Sequence, residues 1–259
     1  MPTILFDDII FGPVKSRRLG ISLGINLLPT NGKLCTYDCI YCECGLNADS
    51  KGKSIPETVE VISSLEKKLK EMHDSQQPLD VITFAGNGEP SMHPGFATII
   101  DETIRLRNSY FPNSKVSVLS NASKADKPEI FDALLKVDQA ILKLDTAFDE
   151  TAILINQPVY RNFKTSKLVE TLKRFKGKVI IQTLFIRGTH LGQTFDNTTD
   201  KEVDAWIELL KEIQPESVMI YAIDREPAVK TVEKISLSEL TKIASKVEQE
   251  TGIKTSVAG

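Results

Sequence analysis

The 259-residue chain has no cysteine before position 35 and none after position 44, and its three histidines (His73, His93 and His190) are scattered. That scarcity excludes a disulfide framework spread along the chain. It also leaves a tetrahedral zinc site without a second ligand pair downstream. Positive charge is not in excess. Lys and Arg number 32 against 35 Asp and Glu, a formal net charge of −3. The global basic footprint of a nucleic-acid binder is therefore missing, and a nucleic-acid partner is weakly supported. No apolar run approaches the roughly 20 residues of a membrane helix. The first eight residues hold no basic stretch leading into a long apolar one, so no secretory signal is expected. No Gly/Ser-rich linker and no repeat interrupts the chain, whose length fits one large α/β domain over 1–259.

What is present is concentrated. Cys35-Thr-Tyr-Asp-Cys39-Ile-Tyr-Cys42 has the spacing CxxxCxxC, which puts three thiols in one short loop. Soft thiolates select iron–sulfur or zinc over hard cations. Three ligands suit a [4Fe–4S] cluster that keeps one iron without a protein ligand, open to a small molecule. Buried thiols packed as small hydrophobes are the bland alternative. The polar neighbours Thr36, Asp38 and Glu43 argue against a core segment. Zinc, with Cys44 as a fourth thiolate, stays open at this point. So does a non-enzymatic metal-binding or electron-transfer protein. Thiols of this kind belong in a reducing cytoplasm.

Hydrophobic periodicity alternates between two and 3.6 along the chain. Strands are expected over 21–28, 79–85, 115–119, 139–144, 178–185 and 217–223. Helices are expected between them. The first is opened by a capping box of Ser54 and Glu57, with Ile62, Leu65, Leu69 and Met72 on one face. Further helices are expected near 95–107, 127–135 and 165–175, and another opens at Thr199 and Glu202. A last helix is capped by Ser236 and Glu239 and ended by Gly252, and a short strand over 253–257 follows. Six βα units in succession predict a parallel sheet. Their number predicts an incomplete (β/α)6 barrel of TIM type, open on one side.

CxxxCxxC with Tyr41 before the last cysteine resembles the signature of the radical S-adenosylmethionine (SAM) enzymes. The flanking Phe11-Gly-Pro-Val-Lys-Ser-Arg-Arg-Leu-Gly20 and Ser22-Leu-Gly-Ile-Asn26 narrow the resemblance. They are similar to a subgroup of short Fe–S oxidoreductases related to the wyosine-forming tRNA enzymes. The resemblance covers roughly 8–228. It implies a [4Fe–4S] cluster, SAM as second cofactor, and an electron donor such as flavodoxin or ferredoxin. It also implies hydrogen abstraction from a substrate. A second cluster built on earlier cysteines is not supported, since none precedes Cys35. The acidic balance weakens tRNA base modification. A small-molecule or nucleoside-type substrate is least contradicted.

In such barrels chemistry gathers at the C-terminal ends of strands. After the second strand come Gly86-Asn87-Gly88-Glu89, where the family has a motif that holds the SAM amino group. Taken alone, this is an ordinary strand-to-helix turn. Ser120 and Asn121 end the third strand, and the resemblance makes Asn121 a ribose ligand. Lys143 and Asp145 leave the same face of the fourth strand. They are either a structural ion pair or contacts of the SAM carboxylate and of substrate or ribose. Tyr41 completes the cofactor set. Asp224 and Arg225, after the sixth strand, are substrate candidates, or else a solvated loop. Arg17 and Arg18, before the first strand, either grip an anion or flank the barrel bottom, and Arg18 is retained as a substrate candidate.

Overall fold

The computed structural model describes residues 4–16, 18–47 and 54–259. The chain divides into two compact units. One is Leu5–Cys35 with Asn47–Ala140; the other is Met1–Ile4 with Thr36–Leu46 and Ile141–Gly259. The boundary falls inside the cysteine run. Cys35 belongs to the first unit, Cys39 and Cys42 to the second.

In the first unit β1 (Ile10–Ser16) pairs antiparallel with β2 (Gly20–Ile25). β2 then runs parallel to β3 (Val81–Phe84), and β3 to β4 (Lys115–Ser120). β1, which the sequence analysis does not expect, contains the strand-breaking pair Gly12-Pro13. Proline is tolerated on a sheet edge, and the register slips between Phe11 and Val14 to absorb it. All four residues of β3 are buried, the pattern of a strand covered on both faces.

The helices here are α1 (Thr58–Asp74), α2 (Phe96–Tyr110) and α3 (Pro128–Lys136). α1 begins at Thr58 with Glu57 as N-cap and no side-chain cap, so the expected Ser54/Glu57 box does not form. His93 Nε2 lies 2.8 Å from the Pro56 carbonyl and ties that stretch down ahead of the helix. The buried face is Val61, Leu65, Leu69 and Met72, with Val61 in place of the expected Ile62.

β5 (Gln139–Lys143) carries the chain into the second unit. There α4 (Asp149–Asn156) and α5 (Thr165–Lys173) precede β6 (Ile180–Leu184). A hairpin of β7 (Ile186–His190) and β8 (Gln193–Asp196) follows, then α6 (Asp200–Ile213) and β9 (Ser217–Tyr221). The chain closes with β10 (Val232–Lys234), α7 (Leu237–Thr251) and β11 (Thr255–Ala258). Strands β5, β6, β9 and β11 lie parallel in that order, and β10-β7-β8 form a separate antiparallel sheet. The caps expected in this unit hold. Thr199 accepts from the Glu202 N–H, Ser236 and Glu239 close a complete capping box, and Gly252 ends α7 in the left-handed region. The α/β class and the parallel direction are as the alternation implies. Among the described residues no helix is long and apolar enough to cross a membrane.

Candidate active site

In the first unit the turn after β3 is built around the segment that leads into Cys35. The Leu34 N–H donates to the Asn87 carbonyl at 2.8 Å, and the Glu89 N–H donates to the Leu34 carbonyl at 3.2 Å. This pairing brings the backbones so close that a Cβ on Gly88 would stand 1.8 Å from the Leu34 oxygen. Gly88 has φ +137°, and Gly86, at φ +154°, lies against the Asn26 side chain. Only glycine tolerates both conditions.

The two central side chains of the turn are committed to the scaffold. Asn87 Nδ2 donates to the Phe6 carbonyl (2.9 Å) and the Pro29 carbonyl (2.8 Å), while Oδ1 accepts from the Phe6 N–H (2.9 Å). Both amide hydrogens are used, so Asn87, expected among the cofactor contacts, has no side-chain donor left for a ligand. Glu89 Oε1 accepts from the Ser91 N–H (3.1 Å), Ser91 Oγ (2.5 Å) and Ser120 Oγ (2.7 Å). Its Oε2 accepts from the Asn121 N–H at 2.7 Å. Burial pushes the Glu89 carboxyl above its usual range, and these hydrogen bonds pull it back in part. Glu89 thus ties the end of β3 to the end of β4 and aims Asn121. The Asn121 Nδ2 lies 3.5 Å from Cys35 Sγ, while its Oδ1 accepts from the Ser123 N–H.

Asn26, at the end of β2, was not among the expected site residues. Its Oδ1 accepts from the N–H groups of Leu28 (3.2 Å) and Asn87 (3.1 Å), which fixes the orientation of the amide. The Nδ2 is buried with no hydrogen-bond partner.

The second unit gathers Tyr41, Lys143 and Asp145 around Cys39, and adds Asn156 and Tyr221. The Tyr41 hydroxyl donates to Asp145 Oδ2. Asp145 Oδ1 accepts from the Leu184 N–H (2.9 Å) and stands 3.5 Å from Lys143 Nζ. Lys143 donates to the Tyr221 hydroxyl at 2.9 Å and lies over the Tyr41 ring, 5.0 Å from its centroid. Burial alone would lower the Lys143 pKa, but Asp145, Tyr221 and Cys39 together outweigh it and hold the ammonium above its ordinary range. Tyr41 is shifted up, first by burial and then by the Asp145 charge.

Asn156, the last residue of α4, places Nδ2 at 2.7 Å from Asp145 Oδ2, 2.6 Å from the Tyr41 hydroxyl and 3.7 Å from Cys39 Sγ. The end of α4 also holds the loop's backbone. The Asp38 N–H donates to the Asn156 and Gln157 carbonyls, and the Ile40 N–H to the Ile155 carbonyl. Asn197 pins the strand ends from behind, donating to the Asp145 and Leu184 carbonyls at 2.9 Å each.

None of the four cysteines is in a disulfide. Among the described residues no three Cys, His, Asp or Glu side chains stand close enough together to hold a metal as placed. The Cys42 N–H donates to the Cys39 carbonyl at 3.0 Å. Arg225 lies 3.6 Å from Glu43, which sits between Cys42 and Cys44 in the chain, and Asp224 is exposed. Of the two readings of Arg18, its position matches the one that has it flank the bottom: it lies in the turn that feeds β2, where Ser16 Oγ accepts from the N–H groups of Arg18 and Leu19. That turn is at the start of β2, the opposite end from the turn that follows β3, so Arg18 flanks the bottom of the sheet. Arg17 lies outside the described residues.

Comparison with known proteins identifies the family. The family model of the radical SAM superfamily matches residues 32–210. A UPF0026 protein of Helicobacter pylori strain 26695 is 31% identical over 241 residues, covering 90% of this chain and 72% of that protein. A Brachyspira hyodysenteriae protein named GTPase Obg is 28% identical over 96% of this chain, which spans only 35% of that longer protein. Among solved structures, Streptococcus suis SuiB bound to S-adenosylmethionine matches with a TM-score of 0.66 at 14% identity, over 91% of this chain and 50% of that one. TYW1 with a lysine-pyruvate adduct bound matches with a TM-score of 0.60 at 15% identity, over 90% of this chain and 74% of that one. These two likenesses show the fold. The family match, spanning the cysteine loop and most of the strand ends just described, shows that the chain belongs to the radical SAM superfamily and, by its Helicobacter relative, to the UPF0026 proteins.

Proposed function

We propose that Cys35, Cys39 and Cys42 hold a [4Fe–4S] cluster, that S-adenosylmethionine binds beside it, and that the substrate is a small molecule or nucleoside. The superfamily uses this cluster and SAM. The observation that carries the reading to these residues is the pair of amide donors, Asn121 toward Cys35 and Asn156 toward Cys39. Amide N–H groups aimed at cysteine sulfur suit electron-rich thiolates and are a lever on cluster potential. When bound and reduced, the cluster supplies one electron that splits SAM into methionine and a 5′-deoxyadenosyl radical, which takes a hydrogen atom from substrate.

The chain's residues do the holding. Lys143 offers a persistent ammonium for the SAM carboxylate, kept cationic by Asp145 and Tyr221. The Gly86–Gly88 turn lets ligand and main chain approach, and Asn87 and Glu89 fix that turn. Ser120, its hydroxyl donating to Glu89 and accepting from the Ala122 N–H, positions Asn121. The buried Asn26 Nδ2 is a donor whose desolvation costs about 1–3 kcal/mol until an acceptor meets it. Tyr41 covers the Lys143–Asp145 pair, and Asp224 with Arg225 meets substrate from the end of β9. A cytoplasmic flavodoxin or ferredoxin is the electron donor. The net charge of −3 favours a small substrate over tRNA.

The test is anaerobic. The protein is reconstituted with iron and sulfide, reduced with dithionite, given SAM without substrate, and assayed for 5′-deoxyadenosine. Slow formation is expected, and it is lost in Cys35→Ala, Cys39→Ala and Cys42→Ala. No 5′-deoxyadenosine, with an intact cluster whose EPR signal ignores SAM, overturns the reading.

A further inference from the structure

Asn156 is short of hydrogens. Its amide carries two, and three acceptors stand within reach: Asp145 Oδ2, the Tyr41 hydroxyl and Cys39 Sγ. Tyr41 and Asp145 are hydrogen-bonded to one another, so they lie on one side of the amide and compete for one hydrogen. The other is left for the sulfur. How firmly the amide is held on its carboxylate side therefore sets what it gives Cys39.

That carboxylate side is itself adjustable. Asp145 is fully buried, and Lys143 is its cation at 3.5 Å, longer than the 2.9 Å bond from Lys143 to Tyr221. An anion arriving at Lys143 draws the ammonium away from Asp145. Asp145, less neutralised, then pulls harder on the Asn156 amide and holds it more tightly. In a dry interior such linked bonds polarise one another.

Resting on the function proposed above, we propose that Asn156 is a positioning residue that couples occupancy of Lys143 by the SAM carboxylate to the reduction potential of the cluster at Cys39. Asn121, held by Glu89 and Ser123, gives Cys35 an amide too, and its loss gauges what one N–H to a cysteine sulfur is worth.

The experiment is an anaerobic redox titration of the reconstituted full chain, read by EPR, with and without saturating SAM. Wild type, Asn156→Leu, Asn156→Ala and Asn121→Leu are compared. Loss of an N–H to sulfur disfavours the reduced, more negative cluster, so every variant has a lower potential without SAM. The expected loss is about fivefold in the reduced-to-oxidised ratio at fixed potential, the equivalent of one hydrogen bond. SAM shifts the potential of wild type. In both Asn156 variants that shift is measurably smaller, by the part relayed through Lys143 and Asp145. An equal SAM-induced shift in wild type and the Asn156 variants overturns the coupling and leaves the proposed function standing. A wild-type cluster that ignores SAM instead sinks the function itself. If Asn156→Leu does not fold, Asn156→Ala, which leaves space rather than filling it, carries the comparison.

Discussion

Replacing Glu89 by Gln tests whether the join between β3 and β4 rests on a buried carboxylate. The carboxylate receives four hydrogen bonds, three on Oε1 and the Asn121 N–H on Oε2. An amide has one oxygen. With that oxygen in the Oε1 place, the new NH2 faces the Asn121 N–H, donor against donor. One charge-assisted bond is lost, worth about 1.5–3 kcal/mol, and three others become neutral. Relief from burying an ion offsets part of this, so Glu89→Gln costs about 2–3 kcal/mol at neutral pH. For a chain of this size that lowers Tm by roughly 5–10 °C. The sign of the pH dependence follows from the raised pKa. Burial lifts the Glu89 carboxyl above its usual 4.5. The folded state therefore takes up a proton before the unfolded one does. Wild type gains stability as pH falls through the raised value toward 4.5, and loses it as pH rises. The variant has no such proton, so the gap between the two widens on acidification. Thermal melts by circular dichroism at several pH values read both effects. A variant as stable as wild type at neutral pH, or a gap that narrows on acidification, refutes the reasoning.

Two further outcomes follow from the site. Asn87→Ala removes three hydrogen bonds to the main chain of Phe6 and Pro29 and destabilises the fold by about 3 kcal/mol in a urea melt. Lys143→Met weakens SAM about tenfold, or about 1.4 kcal/mol. That gap between wild type and Lys143→Met persists from about pH 7 to about pH 10, because the ammonium survives past the ordinary lysine range, while the titration of SAM itself is common to both proteins.

Much of this was legible in the residues, for reasons that also explain the rest. The cysteine run is local, so its spacing carries its chemistry. The strands and caps are local too: Thr199, Ser236 and Gly252 do what their positions imply. Asn87 looks like a ligand residue within its motif, but its partners are 81 and 58 residues away, and no local pattern reports them. Asn156 reads as a loop residue because α4 has only eight residues, and its contacts to Tyr41 and Cys39 span 115 and 117 positions. Asn197 sits just ahead of a helix cap in the chain. Thr199 takes that role, and Asn197 pins strand ends. A polar residue beside a strand end, itself followed by a hydrophobic run, was the one available hint for Asn26.

The backbone bonds on the cysteine run bear on how a cluster is acquired. Leu34 is clamped by Asn87 and Glu89, and Asp38 and Ile40 by the end of α4. The flexibility that a chelating loop ordinarily surrenders to its metal has already been given up during folding. The thiols still have to be drawn together around iron, but from a restrained backbone in place of a floppy tether, and part of the grip on the metal is inherited from the cohesion of the fold. Mutations far from sulfur that soften α4 or the β3 turn would surface as metal leakage before they surface as lost catalysis.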